Sequence, residues 1–321
     1  MPALSLIVPV YNVARWLDAC VESLLRQDID DYEILLVDDG STDGSGTLAD
    51  AWAEKSPRIR VLHQSNIGLG AARNSGVAAS AGRYIQFVDS DDTLEVNVLG
   101  TLLQRMEAER LDVLRFNYRN IDESGQEFRP YKDVKVGADY RESVCSGPQF
   151  LTERLGHACY AVQFLLRREL AVRFPFPTGV YFEDTRWAPQ ILLEAERVNS
   201  MDIVAYNYRL RSGSITMAVS PEKKRKVLED QLGLIAALKE MAAQAPDRRW
   251  FDGMTAHTAV SVVGSVSGTF WKERRGWLKR LRALNFYPLS RYMASPRVAR
   301  KIALINFSPA LACRVLHWKN G

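Results

Sequence analysis

The stretch YIQFVDSDDTL (84–94) runs four apolar or aromatic residues, Tyr84, Ile85, Phe87 and Val88, into three acids, Asp89, Asp91 and Asp92. Carboxylates this close raise one another's pKa unless positive charge lies between them. A hard divalent cation, Mn2+ or Mg2+, supplies such charge. It takes carboxylate oxygens, often one or two from protein, with phosphate and water completing its shell. It can also neutralise a diphosphate and act as a Lewis acid on a departing phosphate. Asp92 has a second use, as N-cap of a helix expected to begin near Leu94. Three acids exceed the need of one cap.

Three further clusters stand at corresponding places. These are Pro9-Val10-Tyr11-Asn12, Asp38-Asp39-Gly40-Ser41 and the loop QSNIGLGAARN with Gly68, Gly70, Arg73 and Asn74. A later acidic pair, Glu183-Asp184, offers a carboxylate able to take a proton from an attacking hydroxyl; the same pair could instead cap the helix expected over 185–198. The pattern excludes several chemistries. PVYNVARW is no glycine-rich dinucleotide turn, GLGAAR ends in arginine where a third glycine belongs, and neither a P-loop nor a G-x-S-x-G elbow occurs. A nucleotide-sugar held through a divalent metal suits the acids best.

These residues need a scaffold that brings strand ends together. LSLIVPV (4–10) reads as a buried parallel strand, and YEILLVDD (32–39), RIRVLHQ (58–64) and YIQFVDSDD (84–92) as three further strands. Between them lie amphipathic helical stretches, including 14–27 with Leu17, Val21, Leu24 and Leu25 on one face. This alternation predicts a parallel sheet, with ligands at the carboxyl ends of its strands. Past residue 112 come a strand over 113–121, a loop or hairpin over 121–143, a helix over 185–198 and a strand over 201–211. From Ser220 the chain reads as helical, with Pro221 at the first helical position.

The ordered segments SLIVPVYNVARWLDACVESLLRQ, YEILLVDDGSTDGS and QSNIGLGAARNSGVAASAGRYIQFVDSDD closely resemble the family 2 glycosyltransferases of the GT-A fold. The resemblance covers roughly residues 4–215. It implies a Rossmann-like α/β fold with a mixed, mainly parallel sheet, here followed by a C-terminal helical extension. Residues 1–215 would form the catalytic domain, split into a nucleotide-binding half (1–115) and an acceptor half (116–215); 216–321 would be helical and basic. The implied activity is inverting, metal-dependent hexosyl transfer from a UDP-linked (or dTDP-linked) donor. The acceptor would be a hydroxyl of a surface polysaccharide, lipid-linked glycan or similar molecule. By the same resemblance Pro9, Tyr11 and Asn12 frame base and ribose, and Asp39 accepts from uracil N3–H. Asn66, Gly68 and Arg73 lie near base and phosphates, and Asp89 and Ser90 line the donor. Asp89 and Asp91 form the D-x-D pair, with Asp91 the direct metal ligand. Asp184, in the E-D pair with Glu183, is the general base. Trp187, read from the residues, fits either a helix packed beneath the site or, as its plainer role, the core. YNYRLRSGSIT lacks the late histidine of some relatives, so Arg209, Arg211 or Ser214 takes that contact.

Charge is unevenly spread. Residues 271–321 hold twelve Lys and Arg against one acid, Glu273, a net of +11; the net of +4 leaves −7 for the other 270 residues. Phe270, Trp271, Trp277, Leu278, Leu281 and Leu284, interleaved with Lys279, Arg280 and Arg282, suggest peripheral membrane contact through 270–301. No nucleic-acid module supports that alternative. Cys20, Cys145, Cys159 and Cys313 are scattered, as buried thiols of a reducing compartment would be, and the four histidines lack metal-ligand spacing. With no signal peptide or apolar span, the expected location is cytoplasmic, at the inner face of the cell membrane. A nucleotidyltransferase or an inactive membrane-bound scaffold are the rival functions; oligomeric state is left open.

Overall fold

The computed structural model describes residues 1–127, 143–211 and 220–320, with the side chains of 319 and 320 excepted. Ser214, a candidate third contact, and most of the 121–143 loop lie outside the described residues. The chain divides into two compact units. One comprises residues 1–150, 159–179 and 183–215, the other 151–158, 180–182 and 216–321.

The first unit opens with β1 (Leu4–Val10), α1 (Ala14–Leu25), β2 (Tyr32–Asp39), α2 (Ser45–Lys55), β3 (Ile59–Gln64), α3 (Leu69–Ala79) and β4 (Tyr84–Phe87). It continues through β5 (Thr93–Leu94), α4 (Leu99–Ala108), β6 (Val113–Ile121), the first four residues of α5 (Gly147–Glu153), β7 (Phe164–Arg167), α6 (Arg168–Arg173), α7 (Glu183–Glu194) and β8 (Val198–Arg209). Eight strands form one mixed sheet in the order β3-β2-β1-β4-β7-β6-β8-β5. β1 to β4 run parallel, in line with the alternation of apolar strand and helix. β7 then pairs antiparallel with both β4 and β6, whereas β6 and β8 are parallel. Every residue of β1 and β2 is buried, as expected of strands covered on both faces. On one face, α1 buries Leu17, Cys20, Val21 and Leu24. On the other, α3 lies close because its residues are small: a Cβ on Gly76 would fall 2.3 Å from Ile7 Cγ2.

The helix expected from Leu94 begins at Leu99 instead. Thr93 and Leu94 pair antiparallel with Asn207 and Tyr206 of β8, so Asp92 is no helix cap. Trp187 is a core residue, stacked on Phe176 with ring centroids 4.3 Å apart. All four cysteines are buried and none is in a disulfide.

The second unit is built on α8 (Pro221–Gln244), α9 (Arg249–Ser267), α10 (Arg274–Ala283), α11 (Pro296–Phe307) and α12 (Pro309–Asn320). Ser220 and Ser295 cap α8 and α11, each followed by proline, accepting from Lys223 N and Val298 N. Leu228, Ile235, Val262, Val263, Trp277 and Leu281 form its core. The apolar residues that suggested membrane contact around α10 are largely taken up by this core. Phe270, Trp277, Leu278 and Leu281 are buried in that core, so α10 turns its apolar stripe inward. Its Arg280 is paired to Glu229, with Nη1 2.7 Å from Oε1. Among the described residues no helix is long and apolar enough to cross a membrane.

Candidate active site

The parallel register places the carboxyl ends of β1, β2 and β4 along one edge. The β1 end supplies buried Pro9, exposed Tyr11 and Asn12. Asn12 has a φ of 52°; its Oδ1 accepts from Thr42 N at 2.8 Å and its N–H donates to Ser41 Oγ. It thereby ties the β1 loop to the turn after β2. Asp39, at the end of β2, accepts from Gln64 Nε2 (2.7 Å), Ile67 N (3.0 Å) and Gly68 N (2.9 Å). Its carboxylate thus anchors the loop opening α3, and among the described residues these three donors meet its roughly four lone-pair sites. Gly40, with φ +72°, lets this loop close: a Cβ there would meet Asn66 N at 2.9 Å.

The centre of the site is Arg73. Its side chain leaves α3 and is 2% exposed. Nη2 donates to Asp89 Oδ1 at 3.0 Å, while Nη1 donates to Asp184 Oδ1 at 2.8 Å and Glu183 Oε1 at 3.1 Å. Sequence reasoning put Arg73 near the phosphates; in the fold its guanidinium joins the acid after β4 to the pair opening α7. Phe176 and Phe87 flank it, the guanidinium carbon lying 5.1 and 6.0 Å from their ring centroids. Burial works against the cation, but the charges of Asp184, Asp89 and Glu183 outweigh it and hold Arg73 protonated. Burial, together with the Asp184 charge, pushes the Glu183 carboxyl up to about 7. Burial also raises Asp184, against Arg73 and the Ala161 N–H that binds its Oδ2 at 3.1 Å.

Each remaining acid has its own partner. Arg211 Nε donates to Asp91 Oδ2 at 2.6 Å. Burial and the Asp89 charge nevertheless keep Asp91 above its ordinary value. Asp92, 1% exposed, accepts from Tyr206 Oη at 2.6 Å and Arg209 N at 2.6 Å. Tyr206 Oη in turn accepts from Asp89 N at 3.0 Å. The Arg209 side chain reaches the D-x-D turn, donating from Nε to the backbone carbonyl of Asp91. Ser90 is buried between the acids. Sequence reasoning missed Tyr206 and the Ala161 N–H. The one available signal was a tyrosine inside a buried strand, whose hydroxyl must find partners. It also missed Tyr160, 48% exposed and adjacent to Ala161, with its ring edge-on to Tyr118 at 5.9 Å.

Hard carboxylate oxygens from Asp89 and Asp91 fit a divalent cation completed by phosphate and water. Among the described residues no three His, Cys, Asp or Glu side chains converge as a metal cage.

A family model described as Glycosyl transferase family 2 matches residues 5–173. Glycosyltransferase GlyG of Streptococcus pneumoniae is 37% identical over 220 residues, covering 66% of this chain and 72% of GlyG. The uncharacterized glycosyltransferase EpsJ of Bacillus subtilis is 37% identical over 225 residues, or 67% of this chain; the match spans 63% of EpsJ. S. aureus TarS 1-349, solved in complex with UDP-GlcNAc, superposes with TM-score 0.70 at 18% identity, covering 99% of this chain and 89% of that structure. The mannosyltransferase PcManGT from Pyrobaculum calidifontis, in complex with GDP-Man and Mn2+, gives 0.59 at 15% identity, covering 99% and 88%. At these identities the structural likeness is one of fold: the mixed GT-A architecture.

Proposed function

The chain belongs to glycosyl transferase family 2, and from that premise we propose that it is an inverting, metal-dependent hexosyltransferase using a UDP-linked donor. One observation carries the reading. A single buried guanidinium joins Asp89, beside the donor-binding strand ends, to Glu183 and Asp184 on α7. Donor acid and base are thereby fixed in one frame, as a displacement between two bound reactants requires.

Pro9, Tyr11 and Asn12 frame the base, and the Asp39 carboxylate receives the uracil N3–H. Asn66, Gly68 and Ser90 line the donor. Asp91 and Asp89 would hold Mn2+ or Mg2+ arriving with the diphosphate. When bound, the cation offsets the charge left on the departing nucleoside diphosphate. Asp184 accepts the acceptor hydroxyl's proton as that oxygen bonds to the anomeric carbon; the carbon–phosphate-oxygen bond breaks on the opposite face, inverting the centre. Its raised pKa makes it a better base, and the Arg73 and Ala161 hydrogen bonds aim it. Glu183 shares the load on Arg73. Tyr160, next to Ala161, offers an aromatic face to a sugar ring, which supports a glycan acceptor such as a growing surface polysaccharide. The TarS complex with UDP-GlcNAc and the Mn2+ in PcManGT agree with donor class and cation.

The test is a thermal-shift panel of UDP-, dTDP- and GDP-sugars with Mn2+, on wild type, Asp91→Ala and Asp184→Asn, with transfer or donor hydrolysis measured alongside. UDP-sugars are expected to stabilise wild type. Asp91→Ala should lose that shift. Asp184→Asn should keep it while turnover falls by about a hundredfold or more. A folded protein that no nucleotide-sugar stabilises would sink the transferase reading in favour of a scaffold.

A further inference from the structure

Among the described residues of the helical unit, three large apolar side chains stand exposed: Phe307 (81%), Leu311 (40%) and Trp318 (91%). All three lie on α11 and α12. The inner side of α12 is fully used: Ala312 and Cys313 are buried, and His317 stacks on Trp271 with ring centroids 3.8 Å apart. Leu311, Arg314 and Trp318 follow at i, i+3 and i+7. At 3.6 residues per turn they fall within about 60° of one another, opposite that packed side. α11 repeats the arrangement. Ile302 and Ile305 are buried, while Arg297, Arg300 and Phe307 share the exposed side. Phe307 and Leu311 flank the turn at Ser308. No acid follows Glu273 in the chain, so these arginines have no carboxylate on either helix.

We propose that α11 and α12 dock this unit on an anionic membrane surface. Phe307, Leu311 and Trp318 enter the interfacial layer, and Arg297, Arg300 and Arg314 meet lipid phosphates. Solvent-facing aromatic and aliphatic residues set among arginines with no carboxylate on their own helices suit a surface lying in the headgroup region. A second copy fits less well, because a twofold contact would bring these arginines against themselves. Leu311 would give a nucleic acid neither a hydrogen bond nor a stacking face.

The experiment is co-sedimentation of the full chain with vesicles of phosphatidylcholine alone and of phosphatidylcholine mixed with phosphatidylglycerol, at low and high salt. Binding is expected to the mixed vesicles only and to weaken with salt. The triple variants F307S/L311S/W318S and R297A/R300A/R314A should each lower partitioning by about tenfold or more. Far-UV circular dichroism and the thermal midpoint should stay at wild-type values, since all six side chains face solvent. If a triple variant fails to fold, W318S and R314A replace it, with smaller losses expected. Wild-type protein that ignores anionic vesicles, or variants that bind them undiminished, would overturn the proposal. So would DNA binding or self-association that the variants abolish while vesicles have no effect.

Discussion

At the scale of single residues the site is a problem in charge compensation, and Arg73 solves most of it. One buried guanidinium serves Asp89, Glu183 and Asp184, and the solution is incomplete because Glu183 remains pushed up to about 7. That incompleteness has a sign. The ordinary value of Glu183 is 4.5, so between pH 4.5 and 7 the folded state binds a proton that the unfolded state has released. Its contribution to stability is fully present below 4.5, is lost as pH rises through 7, and is unfavourable above. Glu183→Gln keeps an oxygen for Arg73 Nη1 and removes the charge. At pH 8 it should be more stable than wild type by on the order of 1–3 kcal/mol, the gain vanishing toward pH 4.5. Urea midpoints at pH 5 and pH 8 measure this. Equal midpoints at pH 8 would mean that Glu183 carries no electrostatic strain.

At the scale of elements, the position of Arg73 depends on how closely α3 approaches the sheet. Gly76, about one turn later on the same helix, leaves no room for a methyl group: its Cβ would sit 2.3 Å from Ile7 Cγ2 and 3.3 Å from Val37 Cγ2. Gly76→Ala should lift α3, cost about 1–3 kcal/mol and draw the guanidinium off its acids. Nucleotide-sugar affinity by calorimetry should then fall even where the protein is fully folded. Unchanged affinity in a folded variant would show that the acids do not depend on α3. The parallel half of the sheet was legible because β1, β2 and β4 are short, largely apolar runs separated by amphipathic helical stretches. The break after Asp92 was not. Leu94, Val98 and Leu102 keep helical spacing and are all buried, so periodicity carries straight through. What starts the helix later is the pairing of Thr93 and Leu94 with β8, more than 110 residues away. Tyr206, which joins Asp92 to Asp89, escaped notice for the same reason. The acids were visible from local spacing; their partners come from contacts that only the folded chain creates.

At the scale of the molecule, the arginines separate folding from metal binding. Asp89, Glu183 and Asp184 share Arg73, Asp91 holds Arg211, and Asp92 is bound by Tyr206 Oη and Arg209 N. The chain thus meets most of its crowded acids with its own groups, and the first unit is expected to fold without a cation. The proposed cation belongs to donor binding, since the diphosphate adds negative charge that Arg73 and Arg211 are already too engaged to match. A ligand that binds only the folded state at a hundred times its Kd adds about 2.7 kcal/mol. That is worth a few degrees in a chain of this size. Chelator alone should therefore move the Tm of the free protein by less than about 1 °C, yet abolish the rise of a few degrees produced by a UDP-sugar with Mn2+. Differential scanning calorimetry in four mixtures, with and without donor and with Mn2+ or chelator, reads both terms. A drop of several degrees on chelating the free protein would reveal a cation resident in the fold, and the arginines would not be the counter-charge assigned to them.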